Sequence, residues 1–206
     1  MGEIYALIGV DKFAYAVNIK EDKTGVLYKP TVFISALDEI GLDRTVSQKQ
    51  YSTDEGVVDG AVKYGAGRVA VRLADIPNRD LAAFLCEGYD DTTGLFTLSQ
   101  SRRAPYCAIM YRCKKANGLY RYVKILKCRS ICPTTKNKAV AEKVTADEAV
   151  MEFCAVKRKF DGVIEYRIDS DDANFPVSQA KIEAFETAWF ADPDYVPKRE
   201  ESENGV

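Results

Sequence analysis

The residue types that could perform chemistry are limited in this chain of 206 residues, which contains no histidine. That absence excludes Ser-His and Cys-His nucleophile pairs, histidine general bases and every metal site that needs imidazole. The cysteines are Cys86, Cys107, Cys113, Cys128, Cys132 and Cys154. Their spacings match no zinc knuckle, so we expect reduced, buried thiols rather than disulfides. A Cys₄ zinc site assembled in space stays open as the alternative.

Two short motifs resemble ligand sites but fail in detail. Residues 65–70 match the dinucleotide pattern G-x-G-x-x-A, yet here the motif opens a strand, whereas it should follow a strand and open a helix. Residues 169–174 begin like a calcium loop, but Ala173 and Ala180 stand where ligands are required and Asn174 replaces the glycine. We therefore expect no enzyme activity, no cofactor and no metal ion.

Charge is segregated along the chain although the formal net charge is only −2. Residues 112–143 carry +9 and residues 144–190 carry −5. A nucleic-acid-binding interpretation rests on one basic, tyrosine-rich hairpin, because aromatic rings stack on bases and cations hold phosphates; its residues are Tyr106, Tyr111, Arg112, Lys114, Lys115, Tyr120, Arg121, Tyr122 and Lys124. The alternatives are that acidic and basic strands pair within the sheet, or that oppositely charged surfaces support head-to-tail self-association.

Alternation of apolar and polar residues with a period of two predicts a β-rich protein. In RVAVRLAD, Val69, Val71 and Leu73 share the face that should be buried, while the arginines face outward. Asn117-Gly118 between residues 105–113 and 119–129 predicts a hairpin, since Asn-Gly is a strong turn former. Asp161-Gly162 predicts a second hairpin, with Ile164, Tyr166 and Ile168 on its buried face.

Two helices and a tail complete the predicted elements. The first helix is expected to start at an Asn78 cap, to bury Leu81, Phe84 and Leu85, and to stop at Gly88. The second runs from a Ser178 cap to about Phe190, with Ile182, Phe185 and Trp189 on one stripe. We expect one domain over residues 1–190 and an acidic, flexible tail over residues 191–206.

Targeting patterns are weak. Residues 4–10 form an apolar run that is too short to cross a membrane, and they follow no basic segment. Met1-Gly2 is not followed by the Ser or Thr that myristoylation requires, since Ala6 stands there. The sequence thus predicts a chain that is made and kept in the cytosol, with no membrane partner.

Four stretches carry a further indication: GVDKFAYA at 9–16, LADIPNRDLAAFLCEGYDDTTGLF at 73–96, APYCAIMYRCKKANGLYRYVKILKCR at 104–129, and YRIDSDDANF at 166–175 with AWF at 188–190. Together they resemble the major tail protein family of long non-contractile (siphovirus) bacteriophage tails. The most specific are the strand-helix-turn at 73–96 and the hairpin at 104–129.

The resemblance implies a mainly β fold with two short helices (α+β). It would be an antiparallel β-sandwich of the phage tail-tube type, whose inner sheet joins a ring-wide β-barrel. Six copies would form a ring, and rings would stack into the tail tube through which phage DNA passes without being held. Implied partners are further copies of the chain, the tape measure protein, and the tail terminator and tail tip proteins. The implied location is the virion tail, with assembly in the host cytoplasm.

The family also uses a long loop between early strands for contacts between rings. Its counterpart here is residues 43–66, a stretch of mixed polarity that a compact domain seldom leaves without a role. We expect the contact residues to include Asp43, Val46, Gln48, Tyr51, Asp54, Glu55 and Val57. The alternatives are an ordinary hairpin at this position and, for the whole chain, an intracellular β-barrel binding module or a nucleic-acid-binding domain.

Overall fold

The computed structural model describes residues 4–35, 37–53, 56–99, 103–135 and 149–198. Its strands are β1 (Leu7–Glu21), β2 (Val26–Tyr28), β3 (Val32–Ile34), β4 (Leu37–Thr53), β5 (Gly56–Leu73), β6 (Gly88–Tyr89), β7 (Phe96–Thr97), β8 (Tyr106–Lys115), β9 (Tyr120–Thr135), β10 (Ala149–Ala155) and β11 (Glu165–Asp169). Its helices are α1 (Asn78–Leu85) and α2 (Ile182–Ala191), the latter preceded by a 3-10 turn at Gln179–Lys181. This content confirms the predicted α+β class dominated by antiparallel strands.

Nine of the strands form one antiparallel sheet. Its main path runs β2-β1-β8-β9-β10-β5-β4, while β3 adds to β1 and β11 adds to β9. Strands β6 and β7 form a small separate pair. Strands β1 and β4, at opposite parts of this order, come close together, but no hydrogen-bonded ladder between the described residues joins them. The sheet therefore curls around its core without closing into a barrel.

The inner face of the curled sheet holds the larger core. Val69, Val71 and Leu73 are completely buried in it, as their alternation predicts. Helix α1 closes one end of this core: the Phe84 ring lies 4.3 Å from the Tyr15 ring, centroid to centroid. The Tyr15 hydroxyl donates a hydrogen bond of 2.7 Å to Asp80 Oδ1. One aromatic contact and one buried hydrogen bond thus fix α1 to β1.

The ends of α1 differ from the prediction. Asn78 is the first helical residue, and Pro77 occupies the N-cap position with no side-chain cap. Proline suits the start of a helix because its φ is fixed and it has no N–H to leave unpaired. Cys86 adopts the left-handed conformation at the C-cap, with φ at 60°, so the helix stops before Gly88, which begins β6. Of the expected stripe, Phe84 is fully buried, while Leu81 and Leu85 are only partly buried.

The outer face of the sheet is covered by α2. Phe185, Trp189 and Phe190 are buried there against Ala14, Ala16, Met110 and Tyr122. Tyr122 meets both Phe185 and Trp189 edge-on, with ring centroids 5.1 and 6.2 Å apart. The two small alanines of β1 leave room on this face for the aromatic side chains of α2, because they add little bulk above the backbone. The predicted helix is confirmed, with Phe185 and Trp189 buried, but its start is wrong: Lys181 occupies the N-cap position with no side-chain cap, so Ser178 does not cap α2, and Ile182 is only partly buried.

One predicted hairpin is confirmed and the other is wrong. Strands β8 and β9 pair around Asn117-Gly118, and Gly118 takes the positive φ of 82° that such a turn needs. Gly162 also has a positive φ, but β10 and β11 do not pair with each other. Both pair with β9, β10 along residues 128–135 and β11 along residues 121–125. After the Asp161-Gly162 turn the chain therefore continues along the same side of β9 in the same direction, and no hairpin forms.

The first residues after α2 contact the sheet. The Tyr195 ring lies 6.4 Å from the Phe185 ring, and the carbonyls of Asp192, Pro193 and Tyr195 accept hydrogen bonds from Lys124 Nζ. Residues 192–195 thus belong to the folded body, beyond the boundary that we expected at residue 190. Flexibility of the tail stays a prediction for residues 199–206, which lie outside the described residues.

Candidate assembly surfaces

Residues 45–66 continue β4 and β5 as a two-stranded ribbon, which we call the arm. Its cross-strand partners run from Val46 opposite Tyr64 to Thr53 opposite Gly56. Strand β10 pairs with β5 only along residues 67–73, so it ends where the arm begins. The segment that we expected to be a long loop is therefore a β-hairpin, the alternative considered from the sequence. Eight residues of strand span roughly 27 Å at about 3.4 Å each.

The predicted contact residues are spread along this arm. Asp43 lies at its base, opposite Arg68, whereas Val46, Gln48 and Tyr51 lie on β4 and Val57 lies on β5. Asp54 and Glu55 are outside the described residues.

The arm leaves backbone groups unpaired along both of its outer edges. Among the described residues, no strand pairs with the outer side of positions 46–53 or of positions 56–66. An isolated two-stranded ribbon is marginally stable in water, and its open edges can pair with another chain. The arm therefore has the properties of an element that another molecule completes.

A second open edge lies at the start of β1. Strand β3 pairs with residues 13–15 and β2 with residues 18–21, so within the described structure nothing pairs with the outer side of residues 7–12. Leu7 and Ile8 are 46% and 61% exposed, and Ile4, just before the strand, is 99% exposed. From the sequence, residues 4–8 were expected neither at an interface nor in a membrane. The signal that could have revealed them is the run of seven consecutive uncharged residues itself.

A third surface is a groove beside α2, which we call the α2 groove. Its volume is about 840 Å³, and it lies between α2 and the segment that contains β3. Its lining includes Lys12, Phe33, Arg112, Ile182, Glu186 and Phe190. Phe33 is 57% exposed and its ring lies 5.7 Å from the ring of Phe190. The groove thus has an apolar floor that reaches the surface.

The basic hairpin of β8 and β9 is neutralised by acidic residues of its own chain. Lys115 Nζ donates to Asp169 Oδ2 at 2.8 Å and also contacts Asp171. Arg121 forms two hydrogen bonds of 2.6 and 2.7 Å with Asp169, and these bonds, together with those from Lys115, lower the pKa of that carboxyl to about 2. The acidic residues that begin like a calcium loop therefore form ion pairs with two basic side chains of the hairpin, Lys115 and Arg121.

Arg112 occupies a similar position at the α2 groove. It forms two hydrogen bonds with Asp11, at 2.8 and 2.6 Å, and one of 2.6 Å with Glu186. Glu186 also pairs with Lys12, and the Arg112 guanidinium stacks 4.0 Å from the Tyr120 ring centroid. A carboxylate that accepts two cations in a partly buried site stabilises both, so the charges of Lys12 and Arg112 are balanced by Glu186 and Asp11.

Two lysines of β9 are buried instead of facing solvent. Lys124 has no exposed surface and Lys127 is 3% exposed. Lys127 pairs with Glu21, which is also buried. Pairing of acidic and basic strands, one of the alternatives left open by the charge pattern, does occur where Arg121 of β9 lies opposite Asp169 of β11. Of the basic side chains proposed to bind nucleic acid, only that of Lys114 is exposed, and this disfavours phosphate binding by the hairpin.

Lys124 is held in a cage of carbonyls. Its Nζ donates to the carbonyls of Asp192 and Tyr195 at 2.8 and 2.9 Å and lies 4.1 Å above the Trp189 ring. Burial lowers the pKa of Lys124 to about 7, although the nearby Asp192 and Asp194 act in the opposite direction. This side chain fixes the segment after α2 to the sheet.

A pH-dependent stability follows from the buried lysine. In the unfolded chain its pKa is near 10.4, so it stays protonated over the range in which the folded form loses its proton. The unfolded state then binds more protons, and stability rises with pH above about 7. Relative to Lys124→Met, the wild type should gain about 1.5 kcal/mol of unfolding free energy between pH 7 and 8.5. Urea titrations of both proteins at each pH measure this; identical pH trends would contradict it.

The cysteines offer no reactive thiol in the core. Cys107 and Cys128 are buried cross-strand neighbours on β8 and β9, and burial raises the pKa of Cys107 to about 12. The five cysteines in the described part of the chain are all free thiols, whereas Cys132 lies where side chains are not described. Among the described residues, no group of three or more Cys, Asp or Glu side chains could hold a metal ion.

In the part of the chain that the structure covers, no helix is both long and apolar enough to cross a membrane.

Comparisons with known proteins give only distant similarities. No protein-family model matches the chain, and no curated protein matches it. The fold is similar to the tube-terminating cap of the anti-feeding prophage, with 10% identity, a TM-score of 0.45, and coverage of 82% of this chain and 95% of that chain. A chain in the anti-feeding prophage baseplate is 8% identical, with a TM-score of 0.45 and coverage of 81% of this chain and 97% of that chain. The sheath/tube terminator of an extracellular contractile injection system, in the extended state, is 12% identical, with a TM-score of 0.42 and coverage of 81% of this chain and 99% of that chain. Similarities at this level do not assign a function.

Proposed function

We propose that this chain is a structural, non-catalytic subunit of a bacteriophage tail that assembles with copies of itself. In this proposal it is the major tail protein, whose hexameric rings stack into the tail tube. The observation that carries the proposal is the arm, a ribbon that leaves the sheet with both outer edges unpaired among the described residues. Such an element is costly to keep in a solitary domain and useful in an assembly.

The open seam of the sheet supports ring formation. The outer side of residues 7–12 on β1 and the outer edge of β4 both carry unpaired backbone groups in the described structure. Pairing between neighbouring subunits would satisfy these groups, and a closed ring removes edges altogether. A heterologous contact whose repetition returns to the first subunit forms a closed ring. A second contact whose repetition does not return to the start lets rings stack without limit. The ring-wide barrel belongs to this proposal.

The sequence resemblance supports the same function from a different direction. Its most specific stretches, 73–96 and 104–129, form the end of β5 with α1 and the β8–β9 hairpin. These elements contribute Leu73, Phe84 and Ile109 to the inner core. The resemblance therefore involves the framework of the fold as well as its surface. The tape measure protein and the tail terminator and tip proteins are the proposed further partners, and the virion tail is the proposed location.

Self-association is tested by sedimentation velocity over a wide range of protein concentration. The proposal expects species of ring size or larger to grow with concentration. A monomer at every concentration would overturn the proposal and would favour an intracellular binding module.

A tube subunit should also pass DNA without holding it. The cations of the β8–β9 hairpin are occupied by Asp169, Asp171 and Glu186, so few of them can release counterions from phosphates. We expect no salt-dependent binding of single- or double-stranded DNA to the subunit at about 50 mM salt, measured by fluorescence anisotropy. Binding that weakens steeply with salt and is reduced by Lys114→Ala would contradict this and support the nucleic-acid-binding alternative.

A further inference from the structure

The α2 groove has the dimensions of a binding site, and three of its charged lining residues, Lys12, Arg112 and Glu186, pair with one another, while the exposed Glu183 is the fourth. Its volume of about 840 Å³ lies within the range of pockets that enclose ligands of drug size. Lys12 and Arg112 both pair with Glu186 across it. A charged occupant would have to break these pairs, whereas an uncharged apolar segment would leave them intact. The exposed ring of Phe33, which lies beside the buried Phe190, also favours an apolar occupant.

The same chain exposes a segment with that chemistry. Residues 4–10, IYALIGV, contain no charged residue. Ile4, Leu7 and Ile8 are all exposed, and Ile4 has 99% of its surface in water. A large exposed apolar patch is a typical sign of an interaction site. The segment and the apolar part of the groove around Phe33 are therefore complementary in polarity.

The segment cannot reach the groove of its own subunit. The Ala6 carbonyl accepts a hydrogen bond of 2.9 Å from the Ala116 amide, and Leu7 lies opposite Lys115 at the end of the β8–β9 hairpin. Lys12, at the groove, is eight residues further along the chain than Ile4, which corresponds to roughly 26 Å of strand. Any such segment in the groove must therefore come from another molecule.

We propose that the α2 groove binds residues 4–8 of a second copy of this chain, whose apolar side chains cover the exposed Phe33. The contact is heterologous, since each subunit would give its segment to one neighbour and receive one from another. This inference rests on the proposed self-assembly and specifies one of its contacts.

The test uses variants on each side of the contact. The segment variant is Ile4→Asp with Ile8→Asp, and the groove variant is Phe33→Asp. A second groove variant, Thr187→Arg, lies on α2 and leaves β3 unchanged. All four positions are exposed, so the folded subunit should persist, as circular dichroism can verify. Leu95→Asp is the matched control, because Leu95 is 62% exposed but lies away from both surfaces.

We expect each segment or groove variant to associate at least about tenfold more weakly than wild type, the scale of one buried isoleucine or phenylalanine. The control should associate normally. Equimolar mixing of the segment variant with a groove variant should restore one intact contact per pair, so sedimentation velocity should detect a heterodimer that neither variant forms alone. If wild type assembles and the variants assemble equally well, or no heterodimer forms, this contact is wrong while the proposed function stands. If wild type stays monomeric, both are wrong.

Discussion

Replacement of residues 47–63 by Asn-Gly should give a folded subunit that no longer forms tubes. The replacement joins Val46 and Tyr64, which are cross-strand partners, through a two-residue turn of the type that hairpins prefer. The pairing of Asp43 with Arg68 and the ion pair of Arg44 with Glu165 stay in place. Loop shortening has only a small entropic effect, so the unfolding free energy should change little.

Assembly should be far more sensitive than folding to this change. A stacking contact recurs six times in each proposed ring. A loss of about 1 kcal/mol per subunit, the scale of one hydrogen bond, then sums to roughly 6 kcal/mol per ring junction. Thermal unfolding and electron micrographs of the variant and wild type measure the two effects separately. Tubes of normal length from the shortened protein, or a variant that does not fold, would refute the role of the arm in stacking.

The second large effect concerns stability, at the Glu21–Lys127 pair. Both side chains are nearly inaccessible, at 8% and 3% of their reference area. Lys127 also lies 4.6 Å from the Tyr106 ring centroid, and Glu21 accepts a 2.5 Å hydrogen bond from the Lys159 amide. These hydrogen bonds and the charge of Lys127 outweigh the effect of burial and lower the pKa of Glu21.

Glu21→Gln should destabilise the protein by about 3–5 kcal/mol, because it leaves the Lys127 charge buried without its partner. The double variant Glu21→Gln, Lys127→Met should recover much of that loss, since it removes the uncompensated charge. Urea denaturation of the wild type, both single variants and the double variant measures the coupling. A Glu21→Gln protein within about 0.5 kcal/mol of wild type would show that solvent screens the pair.

Local patterns in the sequence predicted those parts of the fold that depend on neighbouring residues. Alternation identified the buried face of Val69, Val71 and Leu73, and Asn117-Gly118 identified the β8–β9 turn. The Asp161-Gly162 prediction failed because a turn motif predicts that the chain turns, but it does not determine which strand the following segment pairs with. Strand β9 is long enough to receive both β10 and β11 along one side, and that arrangement is set by tertiary packing.

The candidate surfaces depended even more on contacts between distant residues. Charge segregation predicted that acidic and basic strands would pair, but not that Asp169 would bind Lys115 and Arg121 or that Glu186 would bind Lys12. The α2 groove joins residues from β1, β8 and α2, which are far apart in the chain. No spacing rule relates such residues, so only the folded chain brings them together.

Electron microscopy of concentrated, purified protein tests whether the chain assembles into a tail tube. We expect hollow tubes or rings whose top views have six-fold symmetry, with one subunit in each repeating unit of the ring. A field of separate particles of about 23 kDa, or of irregular aggregates without rotational symmetry, at concentrations where the fold is intact would contradict it.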